Sequence, residues 1–159
     1  MLVRFARRDD VTTVNQLVRD LARYERAAHE ATASDAQLAE ALFGENPHVF
    51  CHVVEIDDVV VGFALWFRSY STWTGASGLY LEDLYVQPEY RGRGFGLALM
   101  RTLARVCVDE GLTRFEWSVL DWNEPSIDFY RRLGARALDE WTRFRLSHDA
   151  LANFARQGD

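Results

Sequence analysis

Apolar and polar positions along the chain follow two periods, and the switches between them mark the elements. Leu2 to Ala6 alternates enough to form a strand. Asp9 or Asp10 then caps a helix whose Val11, Val14, Leu17, Val18 and Leu21 recur at helical spacing as one apolar stripe. Ser34 with Gln37 three positions later is a capping box, opening a short helix to about Phe43, which Gly44 and Pro47 end. Val49–Glu55 and Val59–Phe67 are β-branched and aromatic runs, and Asp57-Asp58 between them reads as a hairpin turn. Ser69–Gly78 is small and polar and reads as a loop, after which Leu79–Val86 is the next strand, stopped by Pro88.

The second half continues in the same way. Gly94–Glu110 is helical, with Leu97, Met100, Leu103, Ala104 and Cys107 on one face and Gly111 as its stop. Arg114–Leu120 is a strand. Asn123 caps a helix that carries Pro125 in its first turn and runs to Leu133, with Gly134 after it. Arg136–Leu146 holds a last strand, and Ser147 caps a short final helix. The order of strand, two helices, three strands, helix, strand, helix, strand predicts an α/β fold around a mixed sheet. No Pro/Gly/Ser-rich linker or internal repeat divides the chain, so 1–159 reads as a single domain.

Composition narrows the classes. A hydrophobic content of 48% over 159 residues is enough for a sizeable core. The net charge of -6, from 18 basic and 24 acidic side chains, argues against a nucleic-acid partner, which would call for a basic face. Every basic residue is Arg, which excludes a Schiff-base lysine and a phosphate loop of the GxxxxGK[ST] type. Cys51 and Cys107 form no disulfide framework, and the apolar runs fall far short of the ~20 residues of a membrane span. With no apolar leader segment, these features predict a cytoplasmic protein with no membrane partner. His48-x-x-Cys51-His52 has the look of ligand spacing, but a strand there sends Cys51 and His52 to opposite faces, so no metal is expected.

The chemistry concentrates at Arg91-Gly92-Arg93-Gly94-Phe95-Gly96, between a strand and a helix. Glycines there allow close backbone approach, and the helix points its positive end at the same spot, so phosphate or pyrophosphate is the natural guest. The dinucleotide spacing is not met, because the sixth place counted from Gly92 is Leu97.

The pattern Arg-x-x-Gly-x-Gly following Leu-Glu-Asp-Leu-Tyr-Val-x-Pro-Glu-Tyr resembles motif A of the GCN5-related N-acetyltransferase (GNAT) superfamily, which binds the pyrophosphate of acetyl-CoA there. Leu21–Glu25, Phe43–Pro47, Leu79–Asp83 and Trp122–Ser126 are similar to the diamine (spermidine/spermine) acetyltransferases, and the likeness runs from about Val3 to Leu146. The resemblance implies a GNAT fold with a mixed sheet of about six to seven strands and helices on both faces. It implies direct transfer of acetyl from acetyl-CoA to a primary amine without a metal, and a homodimer.

It also implies roles residue by residue. Arg91, Gly92, Arg93, Gly94, Phe95, Gly96 and Leu97 would hold the pyrophosphate, with Leu84, Tyr85 and Val86 along the pantetheine arm. The backbone around Leu84 would polarise the thioester, helped by a bulge that the superfamily carries on this strand. Asn123 and Ser126 would line the CoA groove, with Arg132 reaching a phosphate. Tyr130 would be the general acid for the thiolate, since a phenol of pKa ~10 lies just above a thiol at ~8.5. Glu82 would hold the cationic amine and pass its proton away, with Asp83, Tyr24 and Glu25 at the acceptor and Trp73 and Glu116 bordering its channel.

Two signatures mix in the acceptor region. Tyr70-Ser71-Thr72-Trp73 and Val119–Asn123 look like the thialysine N-acetyltransferase branch, while Glu124–Ile127 looks like the polyamine branch. A small amine or diamine is therefore expected, with polyamine against thialysine-like amino acid left open. Two other readings stand beside it: a GNAT enzyme acting on a protein N-terminus or an antibiotic, and an acetyl-CoA-binding module without turnover.

Overall fold

The computed structural model describes residues 1–156. The chain divides into two compact units, Met1–Leu120 and Asp121–Asp159. In the first, β1 (Leu2–Phe5), β2 (Phe50–Ile56), β3 (Val59–Ser71), β4 (Ala76–Val86) and β5 (Phe115–Trp117) form one sheet in that order. The pairs from β1 to β4 are antiparallel, and β5 joins β4 in parallel. That parallel step needs a crossover, which α3 (Phe95–Asp109) supplies.

Both faces of the sheet are covered. Phe63, Leu65, Cys51, Val53 and Tyr85 form one buried cluster with Val14, Leu17 and Leu21 of α1 (Val11–Tyr24) and Leu42 of α2 (Asp35–Phe43). Alternate residues Ala64 and Trp66 are just as buried from the other side. There α3 packs across β1 to β4 and buries Leu99, Met100 and Leu103. Truncating Leu17 or Leu103 to Ala at such positions costs about 2–5 kcal/mol.

Local signals explain the boundaries. Ser34 Oγ accepts from the Gln37 N–H while the Gln37 side chain accepts from the Ser34 N–H, so the capping box forms as read. Asp57 and Asp58 both take positive φ, 49° and 62°, which gives the two-residue turn whose twist suits a hairpin. Asp10 precedes α1 but does not cap it. Its carboxylate accepts from Arg4 at 2.7 and 3.1 Å and from the Arg7 N–H at 2.6 Å, and Arg4 also grips Glu55. Charge-assisted bonds to Arg outweigh the cap, and they tie β1, β2 and the start of α1 together.

Three expectations are corrected. The Ser69–Gly78 loop shrinks to residues 72–75, because Ser71 pairs with Ala76 and the polar ribbon continues the ladder. A ladder needs backbone partners rather than apolar side chains, and the Arg114 side chain adds a bond to the Tyr70 carbonyl at 3.1 Å. The strand within Arg114–Leu120 contracts to the three residues of β5, an edge strand. Finally, none of the residues 136–146 is a strand, so the described residues give a five-stranded sheet, not six to seven. Among its described residues the second unit contains only α4 (Glu124–Arg132) and α5 (His148–Ala155), hence no strand edge of its own for 136–146 to pair with, and Trp141 and Phe144 stay exposed.

The His48–His52 segment has a structural role. Among the described residues no group of three His, Cys, Asp or Glu side chains could hold a metal ion. His52 is buried, and its Nδ1 accepts from Trp66 Nε1 at 3.1 Å, which leaves the proton on Nε2. Burial lowers its pKa from 6.5 to about 4. The unfolded chain therefore binds this proton first, and His52 makes stability fall as pH drops through that window. His52→Asn keeps an acceptor without the titration, so its stability relative to the parent should improve on going from about pH 7 to about pH 5, read by urea unfolding. A constant difference between the two would place the titration elsewhere.

Candidate active site

β4 carries the candidate chemistry because its two edges behave differently. Along β3 the register runs Leu65↔Asp83 and then Trp66↔Leu81, so Glu82 is the extra residue of a bulge. The bulge resets the alternation. Asp83 comes to lie opposite Leu65, on the α1 side with Tyr85, while Glu82 stands exposed at the kink. On the other edge, pairing with β5 covers Leu79, Tyr80 and Leu81 and ends at Leu81↔Trp117. From Glu82 to Val86 that edge has no ladder partner among the described residues, and it includes the Leu84 backbone that the resemblance assigns to the thioester.

The electrostatics single out Asp83. Burial, then the neighbouring charges of Glu82 and Glu25, push its carboxyl from 3.8 up to about 7. Burial also raises Glu25, at the C-terminal end of α1. Glu25, Glu82 and Asp83 thus form one acidic cluster, and a cation there relieves the repulsion within it. Tyr24 is part of the same helix end, where its ring stacks with Arg91. Sequence reasoning had named Glu82 as the proton acceptor, and the special environment of Asp83 was missed. The signal available was two successive acids inside an apolar strand.

At the end of β4 a 3-10 turn (Pro88–Tyr90) leads into the glycine segment. Gly92 and Gly94 have φ of 72° and 83°, and nothing lies within 4 Å of where a Cβ would stand at either. Gly94 is the N-cap residue of α3 and offers no side chain, so the first N–H groups of a 15-residue helix have no capping partner from it. An open backbone cradle at a positive helix end fits a pyrophosphate such as that of acetyl-CoA. Phe95 is buried and anchors α3, and Gly96 and Leu97 follow it, partly buried, in the first turn of that helix. Arg93 stacks on Tyr90 and Phe95, with its guanidinium 5.6 and 5.2 Å from the ring centroids.

In the second unit Asn123 is buried and caps α4, its side chain accepting from the Ser126 N–H at 3.4 Å. Tyr130 is half-buried beside Phe129, two turns further on, and Arg132 is exposed in the last turn. One expected acceptor residue lies apart from the acidic cluster. Trp73 is 88% exposed at the tip of the β3–β4 hairpin, six residue pairs or roughly 20 Å along the ribbon from Asp83. Glu116 pairs with the Arg114 guanidinium at 2.9 Å.

Comparison with known proteins agrees with this geometry. The family described as "Acetyltransferase (GNAT) family" matches residues 14–135. A thialysine N-epsilon-acetyltransferase of Sus scrofa is 39% identical, covering 98% of this chain and 97% of that protein. An L-ornithine N5-acetyltransferase of Arabidopsis thaliana is 30% identical, covering 94% and 85%. Among solved structures, an integron cassette protein from the mobile metagenome of V. cholerae superposes with a TM-score of 0.81 at 25% identity, covering 98% and 97% of the two chains. With the bulged strand, the open cradle before α3 and these relatives together, the chain belongs to the GNAT acetyltransferase family and is an amine N-acetyltransferase.

Proposed function

We propose that this enzyme transfers the acetyl group of acetyl-CoA directly to the primary amine of a small amine or diamine, of the thialysine or ornithine kind rather than a long polyamine. The observation that carries this reading is the acidic cluster of Glu25, Glu82 and Asp83 at the point where β4 parts from β5. One short cationic acceptor satisfies it, whereas a polycation needs several negative charges spaced along its length. The relatives that act on thialysine and ornithine support the same class.

In this reading the cluster holds the ammonium form, and Glu82 and Asp83 share the removal of its proton. A carboxylate of pKa near 7 accepts a proton from an amine of pKa ~10.4 with a smaller mismatch than an ordinary carboxylate does. The freed nitrogen attacks the thioester carbonyl, whose oxygen is polarised by the Leu84 backbone. The C–S bond breaks, Tyr130 gives its phenolic proton to the departing sulfur, and the second proton leaving the acylated nitrogen returns the Tyr130 phenolate to its neutral form. The 91–97 backbone, with Arg93 and Arg132, neutralises the phosphates. The whole chain acts as one domain, in the cytoplasm, as a homodimer. No helix among the described residues is long and apolar enough to cross a membrane.

The test is CoA-thiol release with a panel of thialysine, ornithine, lysine, putrescine, spermidine, spermine and an aminoglycoside. Thialysine or ornithine should give the highest kcat/KM, about tenfold or more above spermine. A preference for spermine or the aminoglycoside would overturn the substrate class, and acetyl-CoA binding without thiol release on any amine would overturn turnover. Light scattering at the mass of a monomer would remove the dimer.

A further inference from the structure

Arg91 does not reach freely into the glycine segment that it introduces. Its Nε donates to the Val86 carbonyl, the last residue of β4, at 2.9 Å. Its guanidinium lies 4.9 Å from the ring centroid of Tyr24 and 5.2 Å from that of Tyr85. Tyr24 is the last residue of α1, and Tyr85 belongs to the buried cluster under that helix. The three side chains form one wall of a cleft of about 400 Å³ that Asp20, Arg23 and Glu89 also line. One side chain of the loop before α3 therefore touches two further elements, the end of α1 and the end of β4.

We propose that Arg91 is a positioning residue that couples the two substrates: through its stack with Tyr24 and Tyr85 it joins the acceptor end of α1 to the pyrophosphate loop, so that ordering one orders the other. This rests on the reading that the 91–97 loop holds CoA. The coupling works through shared entropy. An Arg side chain has large rotamer freedom, and the stack removes part of it before the loop must close on phosphate. Whichever substrate binds first fixes the stack, and the second binds to a loop or helix end already held. Because coupling is reciprocal, a change at Tyr24 must appear in CoA affinity although Tyr24 is not in the loop.

The experiment is isothermal titration of CoA into the intact enzyme and into Tyr24→Leu, Tyr24→Phe, Arg91→Lys and the Tyr24→Leu/Arg91→Lys double variant. Tyr24→Leu should weaken CoA binding about three- to fivefold, the scale of an exposed cation–π contact. Tyr24→Phe keeps the ring and should bind CoA like the parent. Arg91→Lys keeps the charge but not the planar stack, and in that background Tyr24→Leu should cause no further loss. Parental CoA affinity in Tyr24→Leu, or losses that simply multiply in the double variant, would overturn the coupling. Failure of the parent itself to bind CoA would instead overturn the assignment of the loop, which keeps the two readings separable.

Discussion

Asp83→Asn should lower amine acetylation by about 10²-fold or more and, at about pH 8, raise the unfolding temperature. The two effects have one origin. The Asp83 carboxyl is held at about 7, against an ordinary 3.8, mainly by burial. Between those values the folded protein binds a proton that the unfolded chain has released. Stability therefore falls as pH rises through the window, and the loss is complete above about 7. Asn cannot ionise, so its advantage is full at about pH 8 and disappears below about pH 3, where Asp is protonated in both states. In the parent, kcat/KM should rise with pH through an acid limb near 7, and the variant's residual activity should lack that limb. Calorimetry across pH with initial rates on thialysine reads both. A variant that keeps the parent's rate and pH profile removes Asp83 from the chemistry, whatever it does to stability.

Tyr130→Phe should lower kcat by about 10²-fold or more while acetyl-CoA affinity changes little. The phenol would act late, on the sulfur as the C–S bond breaks, so its loss touches the transition state and not the ground-state complex. Phe fills the same half-buried place beside Phe129, so packing is kept. Steady-state rates together with titration of acetyl-CoA separate the two quantities. An unchanged kcat would take Tyr130 out of the mechanism. An equal loss in affinity would make it a CoA contact.

Where chemistry is local, the chain is legible. The Ser34–Gln37 box, the Asp57-Asp58 turn and the glycine segment before α3 each follow from side chains a few residues apart, and each stands where the pattern puts it. Asp10 is legible in position but not in duty, because Arg4 and Arg7 compete for its carboxylate and Arg4 also binds Glu55, 51 residues away. The register of Glu82 is likewise decided by a partner strand. Nothing within Leu79–Val86 says that Leu65 will face Asp83 and Trp66 will face Leu81. The acidic pair could be found by reading, but which acid turns inward could not. Residues 136–146 show the converse: a stretch that reads as a strand forms no ladder among the described residues, since a strand also needs the backbone of a partner.

The open edge of β4 has a consequence for the fate of the molecule in a crowded solution. On the edge away from β3, the five residues Glu82 to Val86 have no ladder partner among the described residues, and they are a template on which a second chain could add itself as a strand. A ligand groove of this kind is thus also a place where aggregation could start. The kink and the exposed carboxylate at Glu82 guard it: a foreign strand must bend where the bulge bends, and it must bring its own backbone up to a negative charge. A slim ligand with one or two amides tolerates that bend, while a regular peptide strand does not. The irregularity that aims the acids also decides which kind of molecule may finish the sheet.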